Sequence, residues 1–93
     1  MNKNEEFIEE FSEIFKALSH STRLCIVDGL YDQPDGMNVS NIQGCMEISQ
    51  SSVSQHLRIL KQAKILDSER FGTEIIYKLT NDKVKEIIKL IRE

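Results

Sequence analysis

The sequence predicts an α+β fold, mainly helical, with five helices and a β-hairpin in a single domain over residues 1–93. Apolar residues recur at helical spacing in segments near 5–18, 21–31, 49–61 and 81–92, each long enough to hide one face. Residues 65–71 and 74–79 have strand composition and meet at Gly72-Thr73, a connection short enough to require a hairpin. Ninety-three residues suit one domain, and a chain this short buries only roughly 60–65% of its unfolded surface, so a second subunit would add useful core.

Each element follows from its residues. Phe7, Phe11, Ile14, Phe15 and Leu18, with Ile8 beside them, form the stripe of the first helix, over about 5–18. Ser19 or Ser21 can cap a second from about 21 to 31, with Leu24, Val27, Leu30 and Tyr31 inward. Asp32-Gln33-Pro34-Asp35-Gly36 is a loop, and Met37-Asn38-Val39 leaves room for a short strand. Ser40 is read as the cap of a short helix over 41–46 that buries Ile42 and Met46, and Glu47-Ile48-Ser49 as a tight turn. Val53, Leu57 and Leu60 then fall at i, i+4 and i+7 of the next helix. After the hairpin, Asn81 or Asp82 caps a last helix over about 81–92 whose apolar residues are Val84, Ile87, Ile88 and Ile91.

The helix read over 49–61 has an unusual polar face: Ser51, Ser54, Gln55 and Arg58, continued by Gln62. A merely solvated face would carry Glu and Lys, which propagate helices better than serine. DNA base edges supply another demand, because Gln matches adenine, Arg matches guanine and Ser serves either. Charge is distributed to suit. Residues 1–18 carry a local net charge of −3 and residues 56–78 one of +2, within a total of −3. An acidic chain should bind random DNA weakly and depend on sequence readout, since phosphate neutralisation supplies most non-specific affinity. No apolar run approaches the ~20 residues of a membrane span, which together with the acidic start of the chain indicates a cytoplasmic protein without a membrane partner.

A short helix, a tight turn and a second helix with a polar outer face make a helix-turn-helix, and the following hairpin makes a wing. The runs Leu18-Ser19-His20-Ser21-Thr22-Arg23-Leu24, Gln50-Ser51-Ser52-Val53-Ser54-Gln55-His56-Leu57-Arg58-Ile59-Leu60 and Gly72-Thr73-Glu74-Ile75-Ile76-Tyr77 resemble the ArsR/SmtB family of bacterial winged-helix repressors across nearly the whole chain. The resemblance implies a homodimer built from the first and last helices, through Phe7, Phe11, Ile14, Phe15, Val84, Ile87, Ile88 and Ile91. It also implies a palindromic double-stranded operator, entered by two recognition helices and released on a signal. The DNA-contacting residues expected are Ser40, Gln50, Ser51, Ser52, Ser54, Gln55, His56, Arg58 and Lys61, with Arg70, Gly72 and Thr73 of the wing. His56 can instead be a packing residue.

Many members of that family sense metals, but the ligands are missing here. Only Cys45 lies near the short helix, and the last helix offers Asp82, Glu86 and Glu93 without histidine, so no metal and no cofactor are expected. The 81–90 ending resembles the branch that does not sense metals. His20 is read as structural. Cys25 and Cys45 leave a thiol-based redox or persulfide response open, against structural roles for both. The cysteine pairs of such relatives join the second helix to the last, which has none here, and Asp28 and Asp32 beside Cys25 disfavour a thiolate. A reading from another class is a winged helix used only for protein contact, with the acidic first helix as docking surface. The polar helix face lacks the aromatic anchors such a surface needs. No nucleophile–base pair or Gly-rich phosphate loop points to an enzyme.

Overall fold

The computed structural model describes residues 3–44 and 46–93. Its elements are α1 (Lys3–Leu18), α2 (Ser21–Tyr31), β1 (Met37–Asn38), α3 (Val39–Gln43), α4 (Gln50–Gln62), β2 (Leu66–Phe71), β3 (Glu74–Leu79) and α5 (Asp82–Ile91). The expected five helices and hairpin are therefore present, and β1 adds an edge strand to give a sheet of order β1-β3-β2. Both pairings are antiparallel, with Met37 opposite Tyr77 and Leu66 opposite Leu79.

Two caps differ from the sequence expectation. His20, rather than a serine, caps α2: its Nδ1 accepts the Thr22 N–H at 3.2 Å. Asn38 caps α3, its Oδ1 accepting the Asn41 N–H at 2.7 Å, so Ser40 lies inside that helix and is exposed. An amide oxygen fills the cap as well as a hydroxyl does, which is why serine alone was a poor guide. Helix α3 also ends at Gln43 instead of 46, with Gly44 as its C-cap, and Met46 is only half-buried. Asn81 caps α5 as expected, accepting from the Val84 N–H and donating Nδ2 to the Lys64 carbonyl.

The core gathers Ile14, Val27 and Leu30 from α1 and α2, Val53, Leu57 and Leu60 from α4, Ile65 and Leu66 entering the sheet, and Val84 and Ile88 from α5. Ile26 joins them, whereas Leu24 and Tyr31 are only partly covered. Gly36 is required by close approach: at φ 86°, a Cβ would sit 2.6 Å from both Ile76 Cγ2 and the Tyr77 carbonyl. Among the described residues no helix is long and apolar enough to cross a membrane.

Three residues expected at a dimer interface, Ile14, Val84 and Ile88, are instead buried in the protomer's own core. The helical stripe identifies an apolar face but not which side of it the chain itself covers. On the two terminal helices the large apolar side chains left open are Phe7 (57% exposed), Ile8 (61%) and Phe15 (53%) of α1 with Leu90 (68%) and Ile91 (59%) of α5. Phe11 and Ile87 are half-buried at its edge. Along α1 the rings of Phe7, Phe11 and Phe15 form a ladder at 4.7 and 5.9 Å, and Lys83 of α5 sits 5.1 Å over the Phe11 ring. The exposed rings of α1 form an apolar strip, and Leu90 and Ile91 of α5 add further uncovered apolar surface.

Candidate nucleic-acid interface

The turn between α3 and α4 is fixed from both sides. Gln43 Nε2 donates to the Ile48 carbonyl at 3.2 Å. Ser49 caps α4, its Oγ accepting the Ser52 N–H at 3.2 Å and lying 3.1 and 3.0 Å from the Ser51 and Ser52 hydroxyls. The serines that depress helix propensity inside a helix therefore organise its first turn, where hydroxyls satisfy orphan N–H groups.

From there α4 divides cleanly. Val53, Leu57 and Leu60 are fully buried, while Gln50, Ser51, Ser54, Gln55, Arg58, Lys61 and Gln62 are exposed. Among the described residues Ser54, Gln55 and Arg58 have no hydrogen-bond or ion-pair partner, so their donors and acceptors are available to a ligand. A 13-residue helix is about 20 Å long and fits a major groove about 12 Å wide. No acidic residue stands in its first turn.

Two residues expected on this face are used inside the protomer. Lys61 Nζ donates to Ser68 Oγ at 2.7 Å, tying α4 to β2. His56 is half-buried and faces inward: its ring lies 4.7 Å from that of His20, and its Nδ1 lies 3.4 Å from Arg23 Nη1. Of the two roles open to His56, packing is the one observed. Burial first, and then the nearby His20 and Arg23, hold His56 below the usual imidazole range.

The wing is the hairpin of β2 and β3. Cross-strand register places Arg70 opposite Ile75, on the sheet face that carries Ser68 and Tyr77, and Phe71 opposite Glu74 on the other. Arg70, Gly72 and Thr73 are all exposed, and Gly72 takes φ 65° at the turn.

Sequence reasoning missed Arg92. Its guanidinium donates Nε to Asp28 Oδ1 at 2.8 Å, Nη1 and Nη2 to the Asp32 carboxylate at 2.8 and 2.9 Å, and Nη2 also to the Asp28 carbonyl. It stacks 4.6 Å from the Tyr31 ring. This clasp joins the end of α5 to the end of α2 and holds the Asp32 carboxyl below the usual carboxylate range, chiefly through the hydrogen bond from Arg92. A signal was present: Asp28 and Asp32 stand at a helix C-terminus, where the dipole favours cations, so a cation from elsewhere was needed.

Cys25 is exposed, and Cys45 lies outside the described residues. Among the described residues no cluster of three or more His, Cys, Asp or Glu side chains could hold a metal ion.

A capped, half-buried helix presenting free amide, hydroxyl and guanidinium groups, followed by a hairpin that carries Arg70, is the architecture of a winged helix-turn-helix DNA-binding domain. Residues 18–69 match a helix-turn-helix domain family. The transcriptional repressor PagR of Bacillus anthracis is 40% identical over 84 residues, covering 90% of this chain and 83% of PagR. Its crystal structure superposes with a TM-score of 0.83 over 92% of this chain and 97% of the crystallised chain. Reduced HlyU of Vibrio cholerae gives 0.87 at 26% identity, covering 99% and 95% of the two chains. The repressor SmtB of Mycobacterium tuberculosis is 31% identical over 83 residues, 89% of this chain and 60% of SmtB. The chain belongs to the ArsR/SmtB family of winged-helix transcriptional regulators.

Proposed function

We propose that this protein is a sequence-specific repressor that binds a palindromic operator in double-stranded DNA as a homodimer, without cofactor, metal or catalytic activity, in the cytoplasm. Within its family it belongs with the members that do not sense metals. The observation that carries the reading is the division of α4: Val53, Leu57 and Leu60 buried, and Ser54, Gln55 and Arg58 exposed, their side chains without a partner among the described residues. Ser51, Ser54, Gln55 and Arg58 read bases, while Gln50 and Ser52 at the helix N-terminus and Ser40 of α3 meet phosphate. Arg70, Gly72 and Thr73 place the wing on the neighbouring backbone or minor groove. The strip of Phe7, Ile8, Phe15, Leu90 and Ile91, edged by Phe11 and Ile87, pairs across a two-fold axis, and the relatives named as repressors, PagR and SmtB, support the direction of control.

The test is enrichment of bound duplexes from a random DNA pool. The expected product is an inverted repeat with half-site centres about one helical turn, ~10 base pairs, or a multiple apart. A pool that converges on no sequence, or on a single unrepeated half-site, refutes the proposal.

A further inference from the structure

Three side chains behind the reading head, His20, Arg23 and His56, form a joint that works only when the His56 imidazole is neutral. His20 Nδ1 accepts the Thr22 N–H, so that nitrogen holds a lone pair. Arg23 Nη1 can only donate, so His56 Nδ1, 3.4 Å away, is likewise an acceptor. The two rings lie against each other at 4.7 Å, and Arg23 is held by its own Nε, which donates to the Ala17 carbonyl at 2.6 Å. The joint therefore connects the end of α1, the N-cap of α2 and the middle of α4, where His56 directly follows Gln55.

Adding a proton to His56 Nδ1 removes an acceptor and sets an N–H against a donor. In His56 the new charge also faces the Arg23 guanidinium. Among the described residues no carboxylate is hydrogen-bonded or ion-paired to His56: His20 and Arg23 are its charged or titratable neighbours from the α2 side, Arg58 stands two positions along α4, and Glu9, Glu10, Glu13 and Lys16 of α1 with Lys64 line an adjoining groove with Arg23. We propose that His56 is a positioning residue for operator reading: neutral, it seats α4 against His20 and Arg23, and protonated, it unseats the helix, so that acidification weakens operator binding. This rests on α4 being the reading helix, as proposed above.

The sign follows from the geometry. The joint is complete above the ordinary imidazole value of about 6.5 and is lost progressively below it. The chain has two histidines, and both belong to the joint.

The experiment compares wild type and His56→Gln on the enriched operator and on a scrambled duplex of equal length, at pH 7.5 and 5.5 and one ionic strength. The operator-to-scrambled affinity ratio of the wild type should fall ~3- to 10-fold at pH 5.5, tenfold corresponding to one unit of differential proton affinity. The ratio for His56→Gln should change less than about twofold, since an amide does not titrate there. A pH-independent wild-type ratio overturns the proposal, as does an equal fall in the variant. Absence of operator preference even at pH 7.5 refutes the DNA-reading assignment instead. The joint is then judged without DNA or substitution by following His56 ring and α4 amide NMR signals through the titration. Co-titration of the α4 amides with His56 supports the joint, and α4 amides indifferent to it overturn the joint.

Discussion

Replacing Lys64 by glycine is expected to stabilise the protein. Helix α4 ends in a Schellman arrangement: the Ile65 N–H reaches the Leu60 carbonyl and the Lys64 N–H the Lys61 carbonyl, both at 3.0 Å. Lys64 occupies the left-handed position at φ 62°, where glycine is the usual residue. An L-residue there costs roughly 1–2 kcal/mol, and glycine's extra freedom in the unfolded chain returns about 0.5–1 kcal/mol of that. The net expectation is a gain of ~0.7 kcal/mol, or about 3–6 °C in Tm for a domain of this size. The Lys64 carbonyl keeps its hydrogen bond from Asn81, because only the side chain changes. Thermal and urea unfolding at a fixed protomer concentration measure the effect, with Lys64→Ala as control. Alanine meets the same left-handed strain and should gain nothing. A destabilised glycine variant, or an equal gain from alanine, would refute the strain argument.

The remaining expectations concern the strip, the clasp and the wing. Phe15→Glu should give a folded monomer by sedimentation and circular dichroism, because Phe15 is exposed within the protomer, whereas Ile88→Glu should unfold the chain by burying a charge; a dimeric Phe15→Glu protein contradicts the proposed interface. Arg92 holds the Asp32 carboxyl below its ordinary value, so that stabilisation is complete above about pH 4 and is lost as pH falls further. Arg92→Gln should therefore lower stability near neutrality and flatten its decline below pH 4, and an unchanged pH profile in urea melts would show the clasp to be inert. Arg70→Ala should weaken operator and scrambled DNA by a similar factor and reduce the salt slope by about one counterion per subunit; a loss confined to particular sequences would mean that the wing reads bases.

Local periodicity made the helices and hairpin legible. Val53, Leu57 and Leu60 point the same way whatever surrounds them, and Gly72-Thr73 closes the hairpin without help from the rest of the chain. Tertiary choices were not legible. Ile14, Val84 and Ile88 share stripes with residues that stay exposed, and only the packed arrangement of α1, α2 and α5 decides which of them the protomer covers. His20 and Asn38 took caps that serine could have filled, because several short polar side chains satisfy the same N–H groups. Lys61 and His56 sit on or beside the polar face of α4, yet Ser68, His20 and Arg23 claim them across sequence gaps that no local pattern spans.

Gln55 tests the assignment of α4 most directly. Its amide is exposed on the second turn of α4 and has no partner in the protomer, so its loss should leave the fold intact. Alanine also raises helix propensity, which removes a weakened helix as an explanation. Titrations of wild type and Gln55→Ala against the enriched operator and a scrambled duplex, at one salt concentration, should show a loss of roughly 1–3 kcal/mol per half-site on the operator. Binding to the scrambled duplex should be nearly unchanged. Equal losses on both duplexes would reduce Gln55 to a backbone contact, and no loss on either would place this face of α4 outside the groove.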